Sequence, residues 1–203
     1  MEGFQESQIV PNVITSLSTL LERVVEANDI SSSQLSPHQK KLKKSSAFNG
    51  LTKPPISIKS YLERIFQYAN CSHSCFVVAY VYLDRFSRRQ PCFPINSFSV
   101  HRLLITSVLV SAKFLDDLYY NNAFYARVGG ISLEEMNILE VDFLFGLGFH
   151  LNVTPTTFHT YYGYLGREML MQSPLQVSNL GRSLKAHCCI NEDESTYQEQ
   201  LAA

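Results

Sequence analysis

Apolar positions recur along most of the chain at spacings of three and four residues, the period of an amphipathic helix. The first stripe runs from Ile9 to Ala27 through Val13, Leu17, Leu20, Leu21, Val24 and Val25. Glu22 and Glu26 take its other side, and Asn28-Asp29 is expected to close it. A second stripe follows Ser57, an N-cap candidate, through Tyr61, Leu62, Ile65, Phe66 and Ala69. Asn70-Cys71-Ser72 interrupts, and residues 73–86 resume with Phe76, Val77, Ala79, Tyr80, Val81, Leu83 and Phe86. After a polar loop, Ser87 to Pro94, Asn96 is placed to cap the stretch Val100–Leu115. That stretch is apolar on nearly every face, which predicts a helix surrounded by other helices. Its small residues Ser107, Ser111 and Ala112 allow neighbours to come close, and His101 is expected on an exposed flank. A short helix over 121–128 is stopped by Gly129-Gly130. Ser132-Leu133-Glu134-Glu135 reads as a capping box, with the Ser hydroxyl on the N–H three residues on and Glu135 reaching back. It opens a helix to about residue 147. Thr154-Pro155 starts another, with Thr as N-cap and Pro at the first helical position, running to about residue 168. A weaker pattern spans 175–187, and the tail is acidic.

No strand period competes, so the fold class is all-α, with five main helices over residues 57–168. Residues 31–55 depart from the pattern: serines mix with Lys40, Lys41, Lys43, Lys44 and Lys53 before Pro54-Pro55. They offer little apolar surface and read as a linker or strap. The chain therefore divides into an N-terminal helix and Lys/Ser-rich linker (1–55), a helical domain (56–168), and a weak helix with an acidic tail (169–203).

With 203 residues, 45% of them hydrophobic, the chain can bury a core without disulfide or metal staples. Lys and Arg number 17 against 18 Asp and Glu, a net charge of -1. That balance argues against general nucleic-acid binding, which rests on neutralising several phosphates. No apolar run is long enough for a membrane span, and no basic segment followed by an apolar run marks an export signal. Five scattered cysteines, Cys71, Cys75, Cys92, Cys188 and Cys189, then read as reduced thiols of the nucleus or cytoplasm.

Catalytic and metal chemistry find little support. Cys71-Ser-His-Ser-Cys75 with His187-Cys188-Cys189 could supply zinc ligands, but the spacing is not that of a known knuckle, and buried reduced cysteine is the preferred reading. A Cys nucleophile paired with His101, His150 or His159 lacks any surrounding elbow or oxyanion loop. No phosphate-binding glycine loop occurs, so no cofactor, no metal and no catalytic residue is expected. Lys40–Lys44 could serve nuclear import or simply be a solvated linker. Two charges stand beside apolar neighbours, Lys113 at the end of the apolar helix and Glu140 in Met136-Asn-Ile-Leu-Glu140. Spacing alone favours reading them as snorkelling surface groups.

Three motifs in order change that reading. Tyr82-Leu-Asp-Arg-Phe86, Ser111-Ala-Lys-Phe-Leu-Asp-Asp117 and Met136-Asn-Ile-Leu-Glu140 resemble a cyclin box. With Ser57-Ile-Lys-Ser-Tyr-Leu-Glu-Arg-Ile-Phe66 they look most like the plant P-type (U-type) cyclins, themselves similar to the yeast phosphate-starvation cyclins. The resemblance covers residues 9–168. It implies a single cyclin-box bundle of five helices with a central apolar helix, preceded by an N-terminal helix and strap. It implies a regulatory subunit, not an enzyme, that forms a heterodimer with a cyclin-dependent kinase and activates it in cell-cycle or phosphate-nutrient signalling. Lys113 and Glu140 map to the residues that contact the kinase regulatory helix, with Phe114, Leu115, Phe143 and Phe145 as apolar contacts around them. Asp84 maps to a structural ion pair with an Arg of the first box helix, here Arg64. Animal mitotic cyclins carry a Met-Arg-Ala-Ile-Leu patch and a nearby Trp for substrate docking; this chain has no Trp, and Ser60–Ile65 does not match. A cyclin-fold DNA-binding or scaffold module without kinase activation is the alternative.

Overall fold

The computed structural model describes residues 6–34 and 46–171, and seven helices lie among them. They are α1 (Glu6–Ser33), α2 (Ile58–Tyr68), α3 (His73–Arg89), α4 (Val100–Leu115), α5 (Asn122–Gly129), α6 (Leu133–Leu147) and α7 (Pro155–Met171). No strand occurs among the described residues. The pattern over 175–187 and the acidic tail lie outside them.

α4 is the axis of the bundle. Its residues from Leu103 to Ala112 are all buried, and it packs against α2, α3, α5 and α6. Ser107 and Ser111 tolerate this because each hydroxyl donates back to its own helix, to Leu104 O (2.9 Å) and Ser107 O (2.7 Å). His101 is not on an exposed flank: it is only 8% exposed, and its Nε2 lies 3.0 Å from Ile56 O, beneath the segment that leads into α2. Burial lowers its pKa from the usual 6.5, the first of several causes that include Lys53 and Arg102. Asn96 serves the turn before the helix rather than the helix itself, accepting from Phe98 N at 2.9 Å, and α4 begins at Val100.

α1 runs past its expected close. Asn28 and Asp29 do not end it; they dock it to the loop before α4. Asn28 Nδ2 donates to Ile95 O (2.8 Å), and Asp29 Oδ1 accepts from Ser97 N (3.2 Å). The stripe Leu17, Leu20, Leu21 and Val25 is buried, and α1 packs along α2, α3 and α7. The end of the strap is also docked. Phe48 is 2% exposed, with its ring centroid 5.4 Å from that of Phe86 and 6.1 Å from that of Phe143.

The helix starts follow the sequence reading in part. Ser57, Ser132 and Thr154 each accept the N–H three residues on, at 3.0, 3.1 and 3.2 Å. Glu135, however, does not reach back to complete a capping box. Its carboxylate turns to α4 and pairs with Arg102 Nε at 2.5 Å. A cation on the adjacent helix is a stronger partner for a carboxylate than one backbone N–H.

Candidate functional site

The last turn of α4 and the middle of α6 bring the two unexplained charges together. Lys113 Nζ lies 2.6 Å from Glu140 Oε1, and both side chains are partly buried. They are partners of each other rather than separate snorkelling groups. The carboxylate's other oxygen, Oε2, accepts from Asn122 Nδ2 at 2.7 Å, and that amide also donates to Asn137 Oδ1 at 2.8 Å. Three helices thus hold one carboxylate: α4 through Lys113, α5 through Asn122, and α6, which carries it.

The end of α4 is itself anchored. At its C-cap Asp116 turns extended (φ -90°, ψ 134°), and its Oδ2 accepts from Ser72 N at 2.9 Å. A carboxylate suits that position because α3 begins there and its N-terminal end is electropositive. The Cys75 thiol donates to the same oxygen at 3.4 Å. A hydrogen bond with Cys71, then burial, push that thiol well above its usual range, which opposes thiolate chemistry. Cys71 and Cys75 are both free thiols, and the described residues contain no group of three or more His, Cys, Asp or Glu placed to hold a metal. His187, Cys188 and Cys189 lie outside the described residues.

The helices that carry the charged pair, and the loops that follow them, also carry exposed apolar side chains. Phe114 and Leu115 are exposed, Leu118 is 89% exposed, and Tyr120 stacks on Phe124 with centroids 3.9 Å apart. On the other side Phe145, 68% exposed, meets Phe149 edge to face at 5.2 Å. A patch of this kind on a folded chain marks an interaction surface. Beside the cluster lies a shallow pocket of about 460 Å³, lined by Lys113, Tyr119, Asn121, Asn122, Ala123 and Leu133.

Phe149 and Asn122 were missed from sequence. Phe149 follows the helix-ending Gly148 and is left-handed like it, at φ 60° and 59°. Its N–H bonds back to Leu144 O (3.0 Å), which turns its ring beside Phe145. An aromatic immediately after a helix-terminating glycine was the available signal.

Two expectations are corrected. Phe143 is not on this surface: it is 0% exposed and stacks on Phe86 at 5.1 Å. It belongs with Met136, Leu139 and Leu147 on the buried stripe of α6. Asp84 does not pair with Arg64. It pairs with Arg88 at 2.8 Å and accepts the Tyr161 hydroxyl, because its side of α3 faces α7. Arg64 points from α2 toward α5 and donates to Arg127 O at 3.2 Å. The rest of the Tyr82–Phe86 motif ties α3 to the segment before α7. Tyr82 Oη donates to Leu151 O (2.7 Å), and Arg85 donates to Asn152 O (2.8 Å).

A family model described as Cyclin matches residues 11–151. The chain belongs to the cyclin family. It is 58% identical over 200 residues to Cyclin-U4-1 of Arabidopsis thaliana, covering 98% of this chain and 96% of the relative. It is 64% identical over 165 residues to Cyclin-U4-3 of the same plant, covering 81% and 72%. To Cyclin-P4-1 of Oryza sativa subsp. japonica it is 54% identical over 194 residues, covering 96% and 90%. These relatives make it a cyclin of the plant U or P type, as its motifs suggested. Cyclins are regulatory proteins rather than enzymes, so what this cyclin offers is a binding surface. Among its described residues no helix is long and apolar enough to cross a membrane.

Proposed function

We propose that this cyclin binds a cyclin-dependent protein kinase and activates it by holding the kinase's regulatory helix in the active position. The observation that carries the reading is the Lys113–Glu140–Asn122 cluster, on helices that also expose Phe114, Leu115 and Phe145. An ammonium has three N–H donors and a carboxylate about four acceptor sites, so the internal pair leaves capacity on both groups for a partner's polar groups. Apolar side chains such as Phe114, Leu115 and Phe145 would exclude water as a partner docks, and polar contacts strengthen when dehydrated.

The activity follows from kinase chemistry. Phosphoryl transfer needs a strand Lys and the regulatory-helix Glu paired, so that ATP is positioned. A rigid bundle that binds only the inward state of that helix shifts its population, and a full switch takes roughly 10⁴-fold differential affinity. The buried α4 axis and the Asp116 anchor give this bundle the stiffness that the mechanism requires. All reacting groups belong to the kinase. The setting is cell-cycle or phosphate-nutrient signalling, in the nucleus, the cytoplasm or both.

The test is a pull-down of plant cyclin-dependent kinases with the wild type beside the Lys113→Ala/Glu140→Ala double variant, followed by histone phosphorylation by the eluates. Removing both charges avoids leaving one buried without its partner. Kinase retained and active with the wild type, and lost with the variant, is expected. Equal capture by both would overturn the proposed face, and capture without phosphorylation would leave a scaffold.

A further inference from the structure

Among the described residues, Asn122 Oδ1 is a buried acceptor with no hydrogen-bond donor, while Nδ2 of the same side chain makes two bonds. The amide cannot gain by flipping. A carboxylate only accepts, so the NH₂ group must face Glu140, and the oxygen must face away. A buried acceptor left in this way is destabilising, and a native protein that retains one calls for a reason. The reason lies in what the amide holds. Without it, the Glu140 carboxylate is free to swing both oxygens onto Lys113, closing the pair on itself and withdrawing both groups from any partner. We infer that Asn122 is a positioning residue for kinase binding: it fixes the second oxygen of Glu140 so that Glu140 and Lys113 are presented in one geometry. The inference rests on the kinase-binding reading above.

Asn122→Ala and Asn122→Asp test it, beside the wild type and the Lys113→Ala/Glu140→Ala variant, with kinase affinity measured by calorimetry and the thermal midpoint recorded for each. Asn122→Ala removes the orphan acceptor; of its two former acceptors, Asn137 is exposed and the partly buried Glu140 keeps its Lys113 partner. Its thermal midpoint is expected to hold or rise while affinity falls about tenfold, the value of one good hydrogen bond. Asn122→Asp sets a second carboxylate against Glu140. The charged groups facing it are Lys113 from α4 and Glu140 from α6, with the Tyr119 phenol lining the same pocket. Two carboxylates in contact cannot both stay ionised without cost, so one takes up a proton more readily. The variant is therefore expected to bind weakly at neutral pH and to recover as pH falls from about 7.5 to about 5.5, where a shared proton restores the hydrogen bond. Wild-type affinity in Asn122→Ala would overturn the inference. So would an affinity loss matched by a lower thermal midpoint, or an Asn122→Asp defect that ignores pH. If the double variant loses kinase while Asn122→Ala does not, this inference alone falls. If the wild type binds no kinase, the kinase-binding reading fails and takes this one with it.

Discussion

A Cβ placed on Gly146 would lie 2.3 Å from Phe86 Cε2, and Phe86 has nowhere to retreat, because Phe143 stacks on it and Phe48 and Phe93 meet its edges. Gly146→Ala should therefore destabilise the fold by about 1–3 kcal/mol, overpacking outweighing the ~1 kcal/mol that alanine normally adds to a helix. Urea unfolding measures it, and an unchanged or raised midpoint would show that the aromatic cluster yields. His101 gives a second prediction at this scale. Its folded pKa is depressed by burial, so the unfolded chain binds the proton more readily. Stability from this residue is full above the unfolded value near 6.5 and is lost as pH falls below it. His101→Gln should flatten the stability curve between about pH 7 and pH 5. An unaltered slope would place the acid sensitivity elsewhere. The helical period alone could not locate this residue, because α4 is apolar on nearly every face and its wheel marks no flank that must stay exposed. What covers His101 is the strap-end carbonyl of Ile56, contributed from 45 residues away in sequence.

Helix starts at Ser57, Ser132 and Thr154 could be read directly, because a capping hydroxyl and the N–H it serves lie three residues apart in the sequence. The faces of α6 resisted reading. Met136, Ile138, Leu139, Val141, Phe143, Leu144, Phe145 and Leu147 leave almost no polar side, so spacing could not separate the buried Phe143 from the exposed Phe145. α1 resisted it differently: Asn28 and Asp29 look like a helix end, yet both are consumed by tertiary hydrogen bonds. Phe48 was invisible because one apolar residue among serines and lysines does not alter a composition. Local signals also compete, as Glu135 shows by choosing Arg102 over its cap. Ser132→Ala should cost about 1 kcal/mol through the lost cap alone. Glu135→Ala should act through Arg102 instead, so a double-mutant cycle between Arg102 and Glu135 should show a coupling of about 0.5–1 kcal/mol. A cycle between Ser132 and Glu135 should show little. Coupling only in the second cycle would restore the capping box.

At the scale of the whole molecule, the bundle separates residues that make it stand from residues that make it bind. α4, Phe86, Phe143 and the docked Phe48 form one continuous core, whereas Phe145 and Phe149 make their edge contact with each other at the surface. Order of motifs carried the family, and with it the expectation that Lys113 and Glu140 act together. It could not carry the third member, because Asn122 meets them only once α5 has folded across the gap between α4 and α6. The separation can be tested by opposing two truncations of the same chemistry on one helix. Phe143→Ala should lower stability by about 3–5 kcal/mol, and its effect on kinase binding should track the fraction folded. Phe145→Ala with Phe149→Ala should leave the unfolding free energy within about 0.5 kcal/mol of wild type, the usual range for surface sites. The same pair of changes should weaken kinase association by roughly 1–3 kcal/mol if a partner buries both rings, since a few large side chains desolvated on binding carry most of an interface's energy. The decisive comparison is affinity at a temperature where all three chains are fully folded. If Phe143→Ala binds as wild type there and the double variant does not, core and interface are distinct on α6. If the double variant binds normally, the partner meets this cyclin elsewhere, and the exposed pair needs another occupant.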